Sequence, residues 1–220
     1  MGEILQIHNR SPERARIVRA AELVRQGQVI AIPTDTFYGL AANPFDSSAV
    51  QKIFAIKNRP ESQPLLLLVD SLEMAADLSA APPPEFYRLA ERFWPGPLTI
   101  VLEASPKLPP PVTAHTGRIG LRLPSAPIPV ALIEAAGCPL TATSANVTGG
   151  KECTTAQQVH DCLGSQLPLI VDGGASRTAK PSTVLDLRPN SWEILREGAV
   201  SEKEIKSFFA ADRKSQTGPK

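Results

Sequence analysis

A turn rich in polar side chains follows an apolar segment near the start of the sequence and has the residue types of a binding site. Thr34, Asp35 and Thr36 come directly after "QVIAIP" (28–33), which the pattern predicts to be a buried strand. Proteins with α/β folds place ligand sites just beyond the ends of their strands. Hydroxyls in such a turn can also bond to their own backbone, but two hydroxyls beside a carboxylate favour a ligand.

Basic residues follow this turn and indicate that the ligand is anionic. Lys57 and Arg59 close the next predicted helix, where cations also interact favourably with the helix dipole. The same two groups suit a phosphate, and their spacing leaves both interpretations open. Arg118 and Arg122 share the parity of a predicted strand and therefore point to one face, which is either solvated or a binding face. Because Arg122 lies deep in an apolar strand, a carboxylate or phosphate partner is expected for it.

Two loops of small residues follow predicted strands later in the chain. The segment "TATSANVTGG" (141–150) is rich in hydroxyls and amides, and its backbone N–H groups suit an anion-binding nest. The segment "VDGGASRTAKPSTVLDL" (171–187) makes a second transition from strand to loop. The three histidines are scattered, and the sequence contains no zinc-ligand spacing, Ser-His-Asp order or P-loop pattern. The sequence therefore predicts an anion site made from several loops, with no covalent nucleophile.

The elements that must position these residues alternate between short apolar runs and helical patterns. The last predicted strands follow one another without helical crossovers, which indicates a mixed sheet. The fold class is therefore α/β, with a large open twisted mixed sheet and helices on its faces. Strands are predicted at 4–7, 28–33, 64–69, 95–104, 117–124, 139–143, 167–172, 182–187 and 192–197. Helices are predicted at 12–26, 49–57, 71–78, 85–93, 129–136, 156–163 and 202–209.

Serine side chains are predicted to cap three of these helices, because a hydroxyl accepts hydrogen bonds from the unpaired N–H groups of the first turn. Ser11 is expected to cap the first helix and Ser47 or Ser48 the second. Ser201 is expected to cap the last helix, which should end at Phe209.

The composition limits the class of protein. The chain has 220 residues, a formal net charge of +1 and three cysteines. One domain is expected over 1–209, followed by a polar, disordered tail over 210–220. A charge so near zero argues against a general nucleic-acid binder, so a basic surface would have to be local. The cysteines lack metal or disulfide spacing and indicate reduced thiols in the cytoplasm, and neither a signal peptide nor a membrane-spanning run is predicted.

Seven motifs along the chain resemble one family. They are "PTDTFYGLAANPFD", "KIFAIKNRP", "FWPGPLTIVL", "GLRLPSAP", "TSANVTGG", "VDGG" and "STVLDL", in that order. Together they resemble the YrdC-like family of threonylcarbamoyl-AMP synthases. The resemblance implies an open twisted α/β sheet around a central concave and locally positive cavity. It also implies a nucleotidyltransferase that makes threonylcarbamoyl-AMP and pyrophosphate from L-threonine, bicarbonate or CO2, and ATP.

The resemblance carries over to individual positions. It implies contacts to the substrate threonine by Thr36, Arg122, Ala142 and Ser182. It implies contacts to ATP by Lys57, Arg59, Gln63, Arg118, Ser144, Asn146 and Arg196. Arg118 stands where some relatives have a hydroxyl. Three other positions depart from the family pattern and leave their contacts open: Gln63 replaces Asn or Lys, Leu68 replaces a threonine-contacting histidine of some relatives, and Cys153 begins "CTT" where relatives often have S-P-T.

The resemblance also implies a cofactor and partners. Mg²⁺ is expected with ATP, held mainly by phosphates and water rather than by protein ligands. A downstream tRNA threonylcarbamoyltransferase complex would pass the product to the adenosine beside the anticodon. Weak binding of tRNA or double-stranded RNA is expected, and no membrane partner.

Three other functions remain open from the sequence. A carbamoyltransferase related to hydrogenase-maturation enzymes would share this type of domain, but the additional domains of those enzymes do not occur in this sequence. A double-stranded-RNA-binding or ribosome-binding protein is disfavoured by the near-neutral charge and by the lack of an aromatic stacking motif. An α/β nucleotide-binding protein with another substrate is the third.

Overall fold

The computed structural model of the chain describes residues 2–60, 62–176 and 180–216, with side chains up to residue 211. Its strands are β1 (Glu3–Gln6), β2 (Ile30–Ile32), β3 (Gly39–Ala41), β4 (Leu66–Leu68), β5 (Leu98–Glu103), β6 (Arg118–Arg122), β7 (Leu140–Thr141), β8 (Thr143–Ser144), β9 (Leu169–Asp172), β10 (Thr183–Arg188) and β11 (Ser191–Arg196). Its helices are α1 (Arg14–Arg25), α2 (Ser47–Lys57), α3 (Leu72–Asp77), α4 (Pro84–Phe93), α5 (Pro127–Ala136), α6 (Ala156–Leu163) and α7 (Glu202–Gln216). Across the described ranges, no helix has both the length and the hydropathy needed to cross a membrane.

The strands form two sheets, and both contain parallel and antiparallel pairs. One sheet has the order β1-β9-β2-β3-β8, and the other has the order β11-β10-β5-β6-β4-β7. The α/β class and the mixed pairing are confirmed, but the strands divide into two sheets where the sequence analysis expected one. The chain leaves the six-stranded sheet after β7 and joins the five-stranded sheet at β8, with Ala142 between them. Between β7 and β8 the chain therefore changes sheets within a single residue, a change that an apolar pattern does not reveal.

Two apolar clusters cover the central strands from both sides. In β2, Ala31 belongs to the larger cluster, while Ile30 and Ile32 belong to the smaller one. In β4, Leu67 belongs to the larger cluster and Leu68 to the smaller one. The smaller cluster also holds the contact between α1 and α5. Strands covered on both faces read as continuous apolar runs, which explains why both were found from the sequence.

The first two helices begin differently from the prediction. The N-cap of α1 is Glu13 and makes no side-chain capping bond, so the predicted Ser11 cap is wrong. The N-cap of α2 is Asp46, whose carboxylate accepts hydrogen bonds from the N–H groups of Ser48 and the next residue. The predicted cap by Ser47 or Ser48 is therefore wrong as well. A carboxylate interacts with the helix dipole in addition to accepting these bonds, which favours it over a hydroxyl.

The last helix begins as predicted and ends later. The hydroxyl of Ser201 accepts a hydrogen bond from the N–H of Glu204 at 3.3 Å, and the Glu204 carboxylate accepts from the Ser201 N–H at 2.9 Å. This reciprocal pair is a capping box. The backbone of α7 continues past Phe209 to Gln216, so the predicted helix end is wrong. The remainder of the expected tail, 217–220, lies outside the described residues.

Candidate functional site

A cavity of about 730 Å³ is lined by residues of both sheets. The five-stranded sheet contributes Gly39 of β3 and Ser144 of β8, and the six-stranded sheet contributes residues of β4, β5, β6, β10 and β11. The transition residue Ala142 also lines it. A concave space of this size is typical of sites for small molecules, so the cavity implied by the family resemblance is present.

Alternate residues of β6 and of the segment entering β10 form two of the cavity walls. On β6 these are Arg118, Gly120 and Arg122. A Cβ atom at Gly120 would lie 3.1 Å from Cγ2 of Thr99, so a side chain there would crowd the opposite strand. The corresponding residues of the second wall are Ser182, Val184, Asp186 and Arg188. The period of two that strands impose on side chains therefore brings the polar residues of both segments to one space.

Most of the site residues expected from the sequence come together here. Eight of the eleven line the cavity, namely Thr36, Arg59, Arg118, Arg122, Ala142, Ser144, Ser182 and Arg196. Lys57, Gln63 and Asn146 do not line it. The assignment of each residue to threonine or to ATP stays a prediction.

The guanidinium of Arg122 is buried and held by three groups. Its Nε donates to the carbonyl of Gly96 at 3.0 Å, its Nη1 donates to Oγ1 of Thr36 at 3.1 Å, and its Nη2 forms an ion pair with Asp35. The second oxygen of Asp35 accepts a hydrogen bond from the Ser125 hydroxyl at 3.2 Å. A guanidinium has five N–H groups, so two remain for a ligand. The orientation of this planar fork is fixed before any ligand arrives.

The hydroxyl turn combines both interpretations that the sequence left open. Oγ1 of Thr34 donates to the Phe37 carbonyl at 2.7 Å and accepts from the Thr36 N–H at 3.1 Å, which is the local turn geometry. Oγ1 of Thr36 lies 3.1 Å from Oγ1 of Thr34 and faces Arg122. Thr34 therefore orients Thr36, and the Thr36 hydroxyl belongs to the cavity.

A second cluster connects a residue predicted to bind the substrate threonine with a residue predicted to bind ATP. The Ser182 hydroxyl lies 2.9 Å from Oγ1 of Thr99 and 3.2 Å from Nη2 of Arg196. Nε and Nη2 of Arg196 also donate to the Ser182 carbonyl, at 3.2 and 2.9 Å. The positions of Ser182, just before β10, and of Arg196, at the end of β11, are therefore coupled.

The arginines of the cavity differ in whether a carboxylate neutralises them. Arg118 pairs with Asp186, which also pairs with Arg188 at 2.8 Å, and Arg122 pairs with Asp35. Within the part of the chain that the structure describes, Arg59 and Arg196 have no carboxylate within ion-pair distance.

These two unpaired arginines remain charged at the cavity wall. Arg59 donates to Oγ1 of Thr143 at 2.9 Å and to the Pro64 carbonyl at 2.8 Å, and its buried Nε has no hydrogen-bond partner among the described residues. Burial lowers the pKa of both Arg59 and Arg196. An arginine nevertheless stays protonated in proteins. Two positive charges at the cavity wall without an ion-paired carboxylate, Arg59 half-buried and Arg196 exposed, make the cavity suitable for an anion.

Lys57 and Asn146 support the loop that follows β8. Nζ of Lys57 donates to the Ser144 carbonyl, and to the carbonyl and side-chain oxygens of Asn146 at 2.8 and 3.0 Å. The Asn146 amide nitrogen donates to the Gly150 carbonyl, and its oxygen also accepts from the Ser144 hydroxyl at 2.7 Å. Burial lowers the pKa of Lys57 to about 8. The polar groups of both residues are thus occupied by the loop that carries Ser144.

The three positions whose contacts the family pattern left open have distinct environments. Gln63 is exposed and lies outside the cavity lining. Leu68 is fully buried in the smaller apolar cluster and also does not line the cavity. Cys153 is buried, with Sγ 3.6 Å from Sγ of Cys162, and the preceding residue Glu152 lines the cavity.

Sequence reasoning missed several polar residues of this site. Asp35 was noted in the turn but not assigned, and Thr99 was missed because a threonine within an apolar strand gives no separate signal. Asp186, Arg188 and Glu193 line the cavity and were also missed. The alternation from Ser182 to Arg188 was the available signal, since it places three polar side chains, those of Ser182, Asp186 and Arg188, on one face.

The geometry suits positioning and charge neutralisation rather than covalent catalysis. Five arginines and three carboxylates line the cavity, so its walls carry an excess of positive charge. In the described ranges, no group of three or more His, Cys, Asp or Glu side chains could hold a metal ion.

Known proteins resemble this chain over most of its length. A family model for the Sua5, YciO and YrdC proteins, described as Telomere recombination, matches residues 22–198. A threonylcarbamoyl-AMP synthase from Pyrococcus abyssi is 39% identical over 201 residues, which cover 91% of this chain and 59% of that protein. The chain thus spans less than two thirds of the length of that relative.

Solved structures share the fold as well. P. abyssi Sua5 complexed with L-threonine matches with a TM-score of 0.90 and 37% identity, covering 94% of this chain and 60% of that one. E. coli YciO matches with a TM-score of 0.85 and 31% identity, covering 93% of this chain and 99% of that one.

Proposed function

The chain belongs to the family of the Sua5, YciO and YrdC proteins, and we propose on this premise that it is a threonylcarbamoyl-AMP synthase. Its product, L-threonylcarbamoyladenylate, would serve the modification of the tRNA adenosine next to the anticodon. One observation carries the proposal: a single cavity contains a pre-oriented arginine fork and, separately, two arginines without counterions. These are the requirements of an amino-acid carboxylate and of a polyphosphate, respectively.

The threonine subsite lies around Arg122 in this proposal. The two free N–H groups of Arg122 bind the carboxylate of L-threonine in a bidentate manner. The hydroxyls of Thr36 and Ser182 bind the polar groups of the same ligand, and Ala142 contributes backbone groups. The solved P. abyssi relative, which was obtained with L-threonine, supports this subsite.

The nucleotide subsite lies around Arg59 and Arg196. Their charges neutralise the phosphates of ATP, and Ser144 contacts the nucleotide from the loop that Lys57 and Asn146 support. Mg²⁺ would accompany ATP as part of the substrate and would be held mainly by the phosphates and water, which is how this ion is commonly bound. The excess of arginines over carboxylates along the walls supports binding of such an anion.

The reaction proceeds through a carbamate. The amine of L-threonine attacks the carbon of CO2, or of bicarbonate with loss of water, and forms N-carboxythreonine. An oxygen of this carbamate attacks the α-phosphorus of ATP, the bond from the α-phosphorus to the bridging oxygen breaks, and pyrophosphate leaves. Such transfers depend on the alignment of the reactants and on neutralised charge, which the fixed Arg122 fork and the two unpaired arginines provide.

The product is a mixed anhydride, which water hydrolyses once it leaves an enzyme cavity. A downstream tRNA threonylcarbamoyltransferase must therefore consume it. We place the protein in the cytoplasm with that partner. The three cysteines, none of which forms a disulfide among the described residues, support a reducing compartment.

The test is a reconstitution with labelled bicarbonate. The protein is incubated with MgATP and ¹⁴C-bicarbonate, and with L-threonine, L-serine or no amino acid, and both pyrophosphate and labelled adenylate are measured. We expect a labelled adenylate with L-threonine and pyrophosphate release that depends on bicarbonate. Pyrophosphate release that does not depend on L-threonine would overturn the proposal. Activity with carbamoyl phosphate in place of bicarbonate and threonine would also overturn it, since that is the carbamoyltransferase reaction.

A further inference from the structure

Two cysteines face each other beside the nucleotide wall of the cavity. The Sγ atoms of Cys153 and Cys162 lie 3.6 Å apart. Cys153 is buried with 5% of its surface exposed, whereas Cys162 on α6 is exposed. Sγ of Cys162 also lies 3.8 Å from the carbonyl of Ala145, in the loop that carries Ser144. The proposed reaction uses neither thiol, so this contact needs another explanation.

We propose that Cys153 and Cys162 are a dithiol that hydrogen peroxide or a small hydroperoxide oxidises to a reversible disulfide, and that this disulfide slows the chemistry in the adjoining cavity. The exposed thiol of Cys162 is accessible to the oxidant, and the buried thiol of Cys153 is already in contact with the Cys162 thiol. Reactive redox pairs combine these two features: an accessible sulfur and a nearby resolving cysteine.

The oxidation balances with peroxide as the sole oxidant. The thiolate of Cys162 attacks one oxygen of the peroxide, the O–O bond breaks, and the leaving hydroxide becomes water, which leaves a sulfenic acid on Cys162. Sγ of Cys153 then attacks the sulfur of Cys162, the S–O bond breaks, and the departing hydroxide takes the proton of the Cys153 thiol. The two thiols have lost two electrons to one peroxide, and the products are the disulfide and two waters.

The environment of Cys153 suits the resolving role rather than the role of first attacker. Burial and its contact with Cys162 raise the pKa of the Cys153 thiol to about 12, although the charge of Lys57 lowers it. A buried neutral thiol reacts slowly with peroxide in solution. Once Cys162 carries a sulfenic acid, the attack becomes intramolecular and both sulfurs are already adjacent.

A disulfide here would pull on the cavity wall. The sulfurs must approach from 3.6 Å to a bond length of about 2.05 Å. The backbone of Cys153 is not free to follow without effect, since its carbonyl accepts the Tyr38 N–H at 2.9 Å and Glu152 beside it lines the cavity. Misplacement of catalytic groups by about 1 Å can lower rates by roughly a hundredfold. We therefore expect at least a severalfold loss of pyrophosphate release on oxidation, restored by dithiothreitol.

The chemical test maps the thiols directly. Wild type, Cys162→Ser and the control Cys138→Ser are treated with hydrogen peroxide, alkylated, and cleaved at Asp161, which lies between the two cysteines. In wild type we expect the free thiols to fall from three to one, with the Cys153 and Cys162 fragments joined until they are reduced. Cys138→Ser should form the same link, whereas Cys162→Ser should keep Cys153 as a thiol.

Several results would overturn the proposal. These are oxidation of Cys162 to the sulfinic or sulfonic acid while Cys153 stays a thiol, a link that includes Cys138, a link between two molecules, or unchanged activity in the fully linked protein. The thiol map does not depend on what the cavity binds. If the reduced protein made no adenylate at all, the proposed function would fail, and ATP binding to the reduced and linked forms would then report the effect on the cavity.

Discussion

Arg122 and Arg59 carry the same charge, but their surroundings suit different ligands. Arg122 is already neutralised by Asp35, and its fork is held by the Gly96 carbonyl and the Thr36 hydroxyl. In the proposed threonine subsite it would therefore bind a further carboxylate through geometry rather than through net charge. Arg59 has no carboxylate partner among the described residues and offers a half-buried charge with a buried, unpartnered Nε, which suits a phosphate more than a fixed angle would.

Replacement of Arg122 by lysine tests the geometric role. Arg122→Lys keeps the positive charge near Asp35 but loses the planar fork. Because hydrogen bonds to charged groups contribute about 1.5–3 kcal/mol, we expect L-threonine to bind more weakly by that amount, while ATP binding without threonine changes little. Calorimetric titration of each ligand into both proteins measures the difference.

A matched control for this change is Arg19→Lys. Arg19, on α1, forms an exposed ion pair with Glu3 of β1. It lies outside the cavity lining, so its replacement should leave both affinities unchanged. If Arg122→Lys lost ATP and kept threonine, the placement of the threonine subsite would be wrong.

Removal of the Arg59 side chain tests the charge role. Arg59→Ala should lower kcat/KM for ATP by about 2–4 kcal/mol of transition-state stabilisation, the range found for other groups that stabilise developing charge. The variant Arg14→Ala, at the exposed first turn of α1, serves as the comparison. Steady-state pyrophosphate release at varied ATP gives the value, and a kcat/KM equal to that of wild type would remove Arg59 from the nucleotide subsite.

At the scale of elements, α2 and the loop after β8 depend on each other through Lys57. The ammonium of this residue fills three oxygen acceptors of the loop, two of them from Asn146. Lys57→Met should remove a charged donor from these acceptors and leave the Asn146 carbonyl without its donor, which should lower the free energy of unfolding by about 1–3 kcal/mol. Lys52→Met on the same helix is the matched control, because Lys52 is exposed and donates to a single carbonyl, that of Gly27. Urea unfolding of the three proteins decides whether the loop has this support.

The same lysine predicts a pH dependence of stability. Burial lowers the pKa of Lys57 from 10.5 to about 8 in the folded protein. Between these values the unfolded chain binds a proton that the folded protein has released, so the stability of wild type rises with pH across this window. Lys57→Met lacks the contribution, and the stability difference between wild type and variant should widen from about pH 8 to 10.5. A difference that is constant over this range would show that the pKa of Lys57 is not lowered.

The sequence predicted the long elements well and the short ones poorly, for physical reasons. Apolar runs such as 64–69 and the helical pattern at 156–163 were found because burial imposes their periodicity. β3 and β8 were missed because strands of three and two residues, one of them beginning at Gly39, hold too little pattern. The predicted starts of two helices were wrong because the N-cap is Asp46 or Glu13 rather than a nearby serine. Several polar residues near each helix start could have taken the N-cap position, and the sequence does not decide among them.

The same limits apply to the candidate site. The arginines, hydroxyls and loops that line the cavity could be named from the residue types and the family motifs. The counterions could not, because Asp35 and Asp186 become partners of Arg122 and Arg118 through pairing of distant segments. Which cations are neutralised, and therefore which remain for a phosphate, depends on the tertiary fold.

At the scale of the whole molecule, the distribution of charge separates the cavity from the outer surface. The formal net charge is +1, yet arginines outnumber carboxylates along the cavity walls. On the outside, several basic residues of the described helices are paired with acidic neighbours; examples are Arg16 with Glu13, Arg19 with Glu3, and Lys206 with Glu202. Such pairs leave a weak external field, whereas the enclosed charges act on a small anion at short range.

This distribution predicts weak and non-specific binding of RNA. With a formal net charge of only +1, affinity for tRNA at physiological salt should not exceed the range of non-specific binding, about 10⁻⁴–10⁻⁶ M. The affinity should fall as salt is raised, and it should be the same for tRNAs with different anticodons. Filter binding at two salt concentrations, with two tRNAs and with Arg59→Ala beside wild type, measures all three properties. Because Arg59 lies in the cavity wall, its loss should not change RNA affinity. Binding near 10⁻⁸ M, the range of specific nucleic-acid complexes, would instead favour an RNA-binding function for the protein.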